Sequence, residues 1–314
     1  MSSTGFPLCG DQPVLIDFAD SIFDPSDYSQ ARGSVLPRDN SGRSLGTRAR
    51  RLITGVNPVA EANGREFVAR VKELCAHPRV LVIGGGAIGA GAEALYDDPD
   101  IELVGTDVYA SPYTCLVSDG HQLPFRRASF DGVWIQAVLE HVLDPHIIAA
   151  QIFRVLKPSG VLYSEIPFMQ QVHEGAYDFT RFTLSGHRWL FRQFEQISAG
   201  AVGGAGTAAV WAIRYLFRAF GTGDKMATLL SIPVFWLRFL DVVTRRRSGI
   251  DGASGTFFLG VKSDRTLSAR EMVRYYEAQA TAQLSGLGRP CNLPAPATGF
   301  AEAAAAPGPH RLEA

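Results

Sequence analysis

The sequence predicts an α/β fold built on a mostly parallel sheet with helices on both faces. Three observations predict it. Across residues 79–200, short apolar, β-branched runs alternate with stretches of helical periodicity, the pattern of strands joined by helical crossovers. A glycine cluster, Gly84-Gly85-Gly86 with Gly89 beyond it, follows the first run directly. The second and third runs each end in a carboxylate, Asp107 and Asp119.

Composition narrows the class. A chain of 314 residues can bury a sizeable core. Its 30 Lys and Arg balance 31 Asp and Glu, so it lacks the basic excess of a dedicated nucleic-acid binder. Cys9, Cys75, Cys115 and Cys291 lie far apart with no C-x-x-C pair, which argues against a disulfide scaffold or zinc knuckle and for a reducing compartment. The first residues carry Asp11, Asp17 and Asp20 rather than a basic stretch before an apolar run, so no signal peptide is expected and the expected location is cytoplasmic.

The elements follow in order. Residues 1–56 form an N-terminal extension, polar and basic from 32 to 51 and expected to be partly flexible. Asn57-Pro58 starts a helix over 57–77, with Val59, Phe67, Val68, Val71 and Leu74 at roughly helical spacing. Strands are expected at 79–83, 101–107, 115–119, 129–135 and 161–166, with a helical stretch at 90–96 after the glycines. Asp144-Pro145 opens a helix over 146–156 that Lys157-Pro158-Ser159-Gly160 closes. The core region spans 57–200, and 201–255 is an apolar helical insert. The segment 256–285 holds a last strand, 256–262, and a helix opened by the capping box Ser268-Ala269-Arg270-Glu271. The Ala/Pro/Gly-rich tail 286–314 is expected to be disordered.

Glycines belong at the turn after the first strand because the backbone there must adopt conformations closed to residues with a Cβ, and because a nucleotide can then approach the main chain. Asp107 lies about 20 residues further on, where a carboxylate can accept both hydroxyls of an adenosine ribose. A tight turn without a ligand is the plainer alternative. The pattern alone does not choose between NAD and another adenosine ligand.

Downstream residues are more specific. Asp119-Gly120-His121-Gln122-Leu123-Pro124-Phe125, Ser129-Phe130-Asp131, Leu139-Glu140-His141-Val142 and Arg154-Val155-Leu156-Lys157-Pro158-Ser159-Gly160 occur in that order. With these strings the chain resembles the class I S-adenosylmethionine-dependent methyltransferases of the type-11 methyltransferase-domain family over roughly residues 79–200. The resemblance implies a Rossmann-like, seven-stranded, mostly parallel sheet whose final strands are 194–199 and 256–262, the last antiparallel. It implies S-adenosyl-L-methionine as cofactor. Gly84, Gly85 and Gly86 would support its methionine and ribose portions, Asp107 with Val108 its ribose, Asp119 with Gly120 its adenine, and Gln136 its methionine end. Two features depart from the family pattern: Val82 stands where an acid commonly precedes the glycines by two positions, and Gly89 follows a longer turn. Loss of that acid removes an anchor for the ligand's ammonium group. A catalytically inactive binding protein with the same shell is therefore kept as an alternative, and the glycine pattern with Asp107 keeps a second, an NAD(P)-dependent oxidoreductase.

Methyl transfer from a sulfonium needs mainly in-line positioning, and a hydroxyl acceptor also needs a base. The catalytic candidates are His173, in the polar loop after the fifth strand, and Glu140 and His141 after the fourth. Tyr177, Asp178 and Arg181 follow, the last two as a pair suited to pinning that loop. No metal-ligand spacing is visible, so no metal is expected. The expected acceptor is a small molecule, a sugar or a lipid-linked compound. The apolar and aromatic run 208–247 contains Pro233, Arg238 and Asp241, which argues against a spanning helix. Its expected roles are a pocket cover or packed core, peripheral membrane contact or a dimer face.

Overall fold

The computed structural model describes residues 5–28, 57–242 and 247–284. The basic stretch 32–51 and the tail 286–314 lie outside the described residues. Two short strands, Leu8–Cys9 (β1) and Gln12–Pro13 (β2), form a small antiparallel pair near the N-terminus. The main sheet consists of Arg79–Ile83 (β3), Glu102–Asp107 (β4), Leu116–Val117 (β5), Phe130–Gln136 (β6), Leu156–Pro167 (β7), Phe194–Gly203 (β8) and Gly255–Lys262 (β9). Its order is β5-β4-β3-β6-β7-β9-β8. The first five pair in parallel, and β9 runs antiparallel between β7 and β8. This is the expected seven-stranded, mostly parallel sheet.

The helices are Pro58–Leu74 (α1), Glu93–Tyr96 (α2), Pro145–Val155 (α3), Leu184–Leu190 (α4), Ala205–Ala219 (α5), Asp224–Ser231 (α6), Arg247–Asp251 (α7) and Ala269–Leu284 (α8). Asn57 caps α1 by accepting from Val59 N–H and Ala60 N–H, with Pro58 at the first helical position, where its missing N–H costs nothing. Asp144 and Pro145 open α3 in the same way. The capping box at α8 is present: Ser268 N–H donates to Glu271 Oε2 at 2.7 Å.

Strand alternation divides the core. Leu81, Ile83, Val133 and Ile135 face one side and pack with Ile148, Ile152, Phe191 and Phe258. Val80, Val82, Trp134 and Tyr163 face the other and pack against Phe67 and Val71 of α1. Trp134 and Tyr163 stack with ring centroids 4.0 Å apart. The shared sequence strings are part of this frame. Asp131 accepts from Arg79 N–H and from the Lys157 ammonium, and Arg154 donates to the Leu123 and Phe125 carbonyls.

Three expectations change. Only Glu93–Tyr96 of the stretch 90–96 is helical, because Gly91, at φ +84°, is pressed onto α1, where a Cβ would lie 2.3 Å from the Ala60 carbonyl oxygen. Residues 157–160 do not simply close a helix. Leu156 already pairs with Phe130, and the chain bulges out through Ser159 (φ +62°) before Val161 pairs with Gly132. The strand expected over 194–199 continues to Gly203 because β9 offers it partners as far as Gly255.

In the insert, α5 and α6 form a helical hairpin extended by a 3-10 segment, Ile232–Val242. Asp241 is the cap of α5 rather than a stray charge: its carboxylate accepts from Gly204 N–H, Gly206 N–H, Thr207 N–H and the Thr207 hydroxyl. The hairpin's outer face leaves Phe220 and Phe239 more than two-thirds exposed. No helix among the described residues is long and apolar enough to cross a membrane.

His187 is fully buried between the Ser164 and Thr256 hydroxyls, at 2.9 and 3.1 Å. Burial pushes its pKa down to about 3, so it stays neutral when folded while the unfolded imidazole titrates near ~6.5. Between those values the unfolded chain binds more protons, so stability is intact above ~6.5 and falls as pH drops. At pH 5 this group removes about 2 kcal/mol. A His187→Asn variant should lose about 2 kcal/mol less than the parent between pH 7 and pH 5 in urea unfolding, and equal losses would remove His187 as an acid-sensitive group.

Candidate functional site

The parallel strands end together at one edge, where Ile83 pairs with both Thr106 and Ile135. Here the backbone must turn while its polar groups still find partners. Gly84, at φ +74°, makes the turn, and Gly84 N–H and Gly85 N–H both donate to the Thr106 carbonyl. Asp107, at the end of β4, braces the turn: its Oδ2 accepts from Gly86 N–H at 2.8 Å and its Oδ1 from Val108 N–H at 2.7 Å. The ring of Tyr109 lies against Gly86, where a Cβ would collide with it.

Asp119 lies just past β5 and is almost fully buried. Its Oδ1 accepts from His121 N–H at 2.9 Å and from His121 Nδ1 at 2.7 Å. His121 Nε2 accepts from Asp144 N–H, which leaves Nδ1 as the protonated, donating nitrogen. Asp119 Oδ2 accepts from the Ser21 hydroxyl at 2.6 Å. Burial raises the Asp119 pKa, but the bonds from His121 and Ser21 outweigh it and hold the carboxyl below its usual range. Asp119 in turn raises the His121 pKa.

Asp107 and Asp119 line one open cavity, together with Gly84, Val108, Gly120 and His141. Its roof comes from two directions. Ile22 and Phe23 reach it from the N-terminal segment, and Tyr177 reaches it from the loop after β7. Phe23 and Tyr177 stack at 6.0 Å.

The role of residues 5–28 is what sequence reasoning missed. Val14 bridges to Val117, and Cys9, Val14, Ile16 and Tyr28 form a small core on the sheet edge. The Tyr28 hydroxyl donates to the Val108 carbonyl. The alternation of Val14, Ile16 and Phe18 was the available signal.

Of the other candidates, Gly85 and Gly86 sit in the turn itself. Gln136 stands beside it, donating to the Ala90 carbonyl at 3.0 Å and to Glu165 Oε2 at 3.1 Å. Val82 is buried in the core. Glu165, which sequence reasoning passed over, also accepts from the Tyr163 hydroxyl, and burial raises its pKa to about 7.

The three catalytic candidates meet. Glu140 and His141 occupy a 3-10 turn after β6, and His173 comes from the loop after β7. Nε2 of His141 lies 3.6 Å from Glu140 Oε1, and Nε2 of His173 lies 4.0 Å from it. Glu140 is 1% exposed, and burial raises its pKa to about 8. Burial also lowers the His141 pKa. Asp178 accepts from His173 N–H and pairs with Arg181, which further donates to the Gln170, Gln171 and Thr180 carbonyls. The pair pins the loop, as its spacing suggested. Burial works against the Asp178 carboxylate, yet Arg181 and the His173 N–H hold its pKa down to about 2. These three residues, dispersed in the sequence, bring their potential ligand atoms within 4.8 Å of one another only in three dimensions.

Residues 83–164 match the family described as "Methyltransferase domain". No curated protein matches the chain. Among solved structures, the chain is similar to one described as "Complex between the Haloferax volcanii Trm112 methyltransferase activator and the putative methyltransferase", at 23% identity and a TM-score of 0.43, covering 71% of this chain and 94% of that one. It is similar to a protein described as "a putative sarcosine dimethylglycine methyltransferase from Galdieria sulphuraria", at 14% identity and a TM-score of 0.44, covering 73% and 92%. It is also similar to Haemonchus contortus phosphoethanolamine N-methyltransferase 2 in complex with S-adenosyl-L-methionine, at 18% identity and a TM-score of 0.43, covering 74% and 61%.

Proposed function

We propose that this chain, which carries an S-adenosylmethionine-dependent methyltransferase domain over residues 83–164, methylates the polar end of a lipid-linked acceptor. The observation that carries the methyltransferase reading is the pair of carboxylates, Asp107 and Asp119, on neighbouring strand ends of one cavity inside the matched region.

The residues present fit the cofactor by their donor chemistry. A ribose diol and an adenine amino group offer N–H and O–H donors to two separate acceptors. Each carboxylate has about four acceptor sites, so the internal bonds of Asp107 and Asp119 pre-orient them without exhausting them. Asp107 holds the ribose and Asp119 the adenine, while the glycine turn keeps side chains out of the way. Gln136 and Glu165, paired beside the glycine turn, would take the methionine end. Glu165 supplies there the carboxylate that Val82 does not, which favours a working site over an inactive shell. The cofactor, when bound, brings a methyl group already activated on a sulfonium.

The protein's task is then to align the acceptor and keep water out. Phe23 and Tyr177 close the roof. His173, held by the Asp178–Arg181 pair, positions the acceptor. The lipid-linked class rests on the exposed apolar face of the insert, with Leu216, Phe220, Trp236 and Phe239. That face adjoins the site loop, since the Tyr215 hydroxyl of α5 donates to the Val172 carbonyl beside His173.

Calorimetry with S-adenosylhomocysteine should give binding that Asp107→Ala and Asp119→Ala each weaken about tenfold or more, and NADH should give no heat. Unchanged affinity in both variants would end the adenosine assignment. With a methyl acceptor found by isotopic transfer to membrane extract, His173→Ala should lower kcat by roughly 10²-fold or more with S-adenosylhomocysteine affinity unchanged. Full turnover in that variant would take His173 out of the chemistry. The protein should sediment with liposomes, and Trp236→Ser with Phe239→Ser should abolish this; a parent protein that stays in the supernatant at low salt would exclude the lipid-surface reading.

A further inference from the structure

We propose that Glu140, His141 and His173 form a binding site for one divalent first-row metal ion, with Zn²⁺ the best match, at the acceptor side of the cavity. Their ligand atoms lie within 4.8 Å of one another. The two Nε2–Oε1 separations, 3.6 and 4.0 Å, are too long for hydrogen bonds. They are close to the spacing of about 3.4 Å between ligands set tetrahedrally at roughly 2.0–2.2 Å around one ion.

Orientation makes the stronger argument. His141 Nδ1 lies 2.7 Å from the Tyr177 carbonyl, an acceptor only, so Nδ1 carries the proton and Nε2 presents its lone pair to the cluster. His173 Nδ1 lies 3.2 Å from Asp178 Oδ2 and 3.4 Å from the Gln171 carbonyl. Both neighbours are acceptors, so His173 Nε2 also presents a lone pair. A carbonyl behind one imidazole and a carboxylate behind the other are the outer partners that metal-binding histidines use to fix tautomer and ring direction. Two lone pairs aimed at the Glu140 carboxyl leave acceptors facing acceptors whenever that group is ionised, and a bound cation is what satisfies all three in that form.

Glu140 supplies an independent observation. It is 1% exposed, and its Oε2 is buried without a hydrogen-bond partner. An unpaired buried carboxylate oxygen is costly, and a cation between it and the two imidazoles removes that cost. Two histidines and one glutamate leave part of the coordination sphere open. His141 lines the cavity, so the open side faces it, and the fitting ligand there is an oxygen of the acceptor. This placement at the acceptor rests on the methyltransferase reading. The ion site itself rests only on the donor geometry.

The test is titration of the chelator-stripped full-length protein with Zn²⁺ by calorimetry and with Co²⁺ by visible absorption. One ion per chain is expected, with d–d bands of a nitrogen- and oxygen-ligated Co²⁺. His141→Ala and Glu140→Gln should each weaken binding by at least 10-fold, and Asp178→Asn, which keeps every ligand, by about 10–100-fold. Far-ultraviolet circular dichroism and the urea-unfolding midpoint of the metal-free protein should stay at parent values in these variants, separating loss of the ion from loss of the fold. No stoichiometric binding would overturn the site, as would binding unchanged in both ligand variants or Co²⁺ bands of thiolate ligation. Methyl transfer is not the readout, so a bound ion in a protein without transferase activity would retain this site and refute the proposed function instead.

Discussion

Burial of β3 and β6 on both faces is the constraint on which the rest of the structure depends. Apart from the half-buried ends Arg79 and Gln136, every residue of these strands is shielded, by α1 on one side and α3 and α4 on the other. A strand covered on both faces cannot carry a functional polar group along its length without stranding it away from water. Polar chemistry is therefore displaced to the strand ends, where the chain leaves the sheet together at one edge. Asp107, Asp119, Gln136 and Glu165 all stand at or next to such ends.

At that edge the protein solves a local problem in a way that prepares the cavity. The glycine turn and the first residues after β5 expose backbone N–H groups, and Asp107 and Asp119 accept from them. Each carboxylate is locked in one rotamer by bonds the fold requires in any case. The same bonds recruit the N-terminal segment through Ser21 and keep Asp119 ionised in a buried setting. The segment then contributes Ile22 and Phe23 to the roof. Cavity, lid and charge are thus coupled through one buried carboxylate.

The opposite side of the cavity follows a different logic. The loop after β7 has little regular structure, and its shape is imposed by Arg181, which grips Asp178 and three backbone carbonyls. This clamp brings His173 beside Glu140 and His141, which β6 delivers from another direction. The insert rests against the same loop through Tyr215. An apolar outer surface and a polar donor cluster therefore meet across a single short segment of chain.

Much of this was legible in the sequence. The β-branched run at 79–83, the glycines behind it and the caps Asn57-Pro58 and Asp144-Pro145 act over a few residues, so local chemistry alone determined where strands and helices begin. The strings around Asp119, Asp131 and Arg154 marked the frame, because each side chain meets a backbone group at a fixed place in the topology. Three things were decided by tertiary structure alone. The N-terminal segment became a wall of the cavity because Val14 found the edge of β5 and Ser21 found Asp119. Glu165 became the partner of Gln136 because their strands are neighbours in the sheet. Glu140, His141 and His173 became one cluster because two loops converge. In each case the partners lie far apart along the chain, and no periodicity or spacing encodes a contact that exists only once the sheet has set the distance between them.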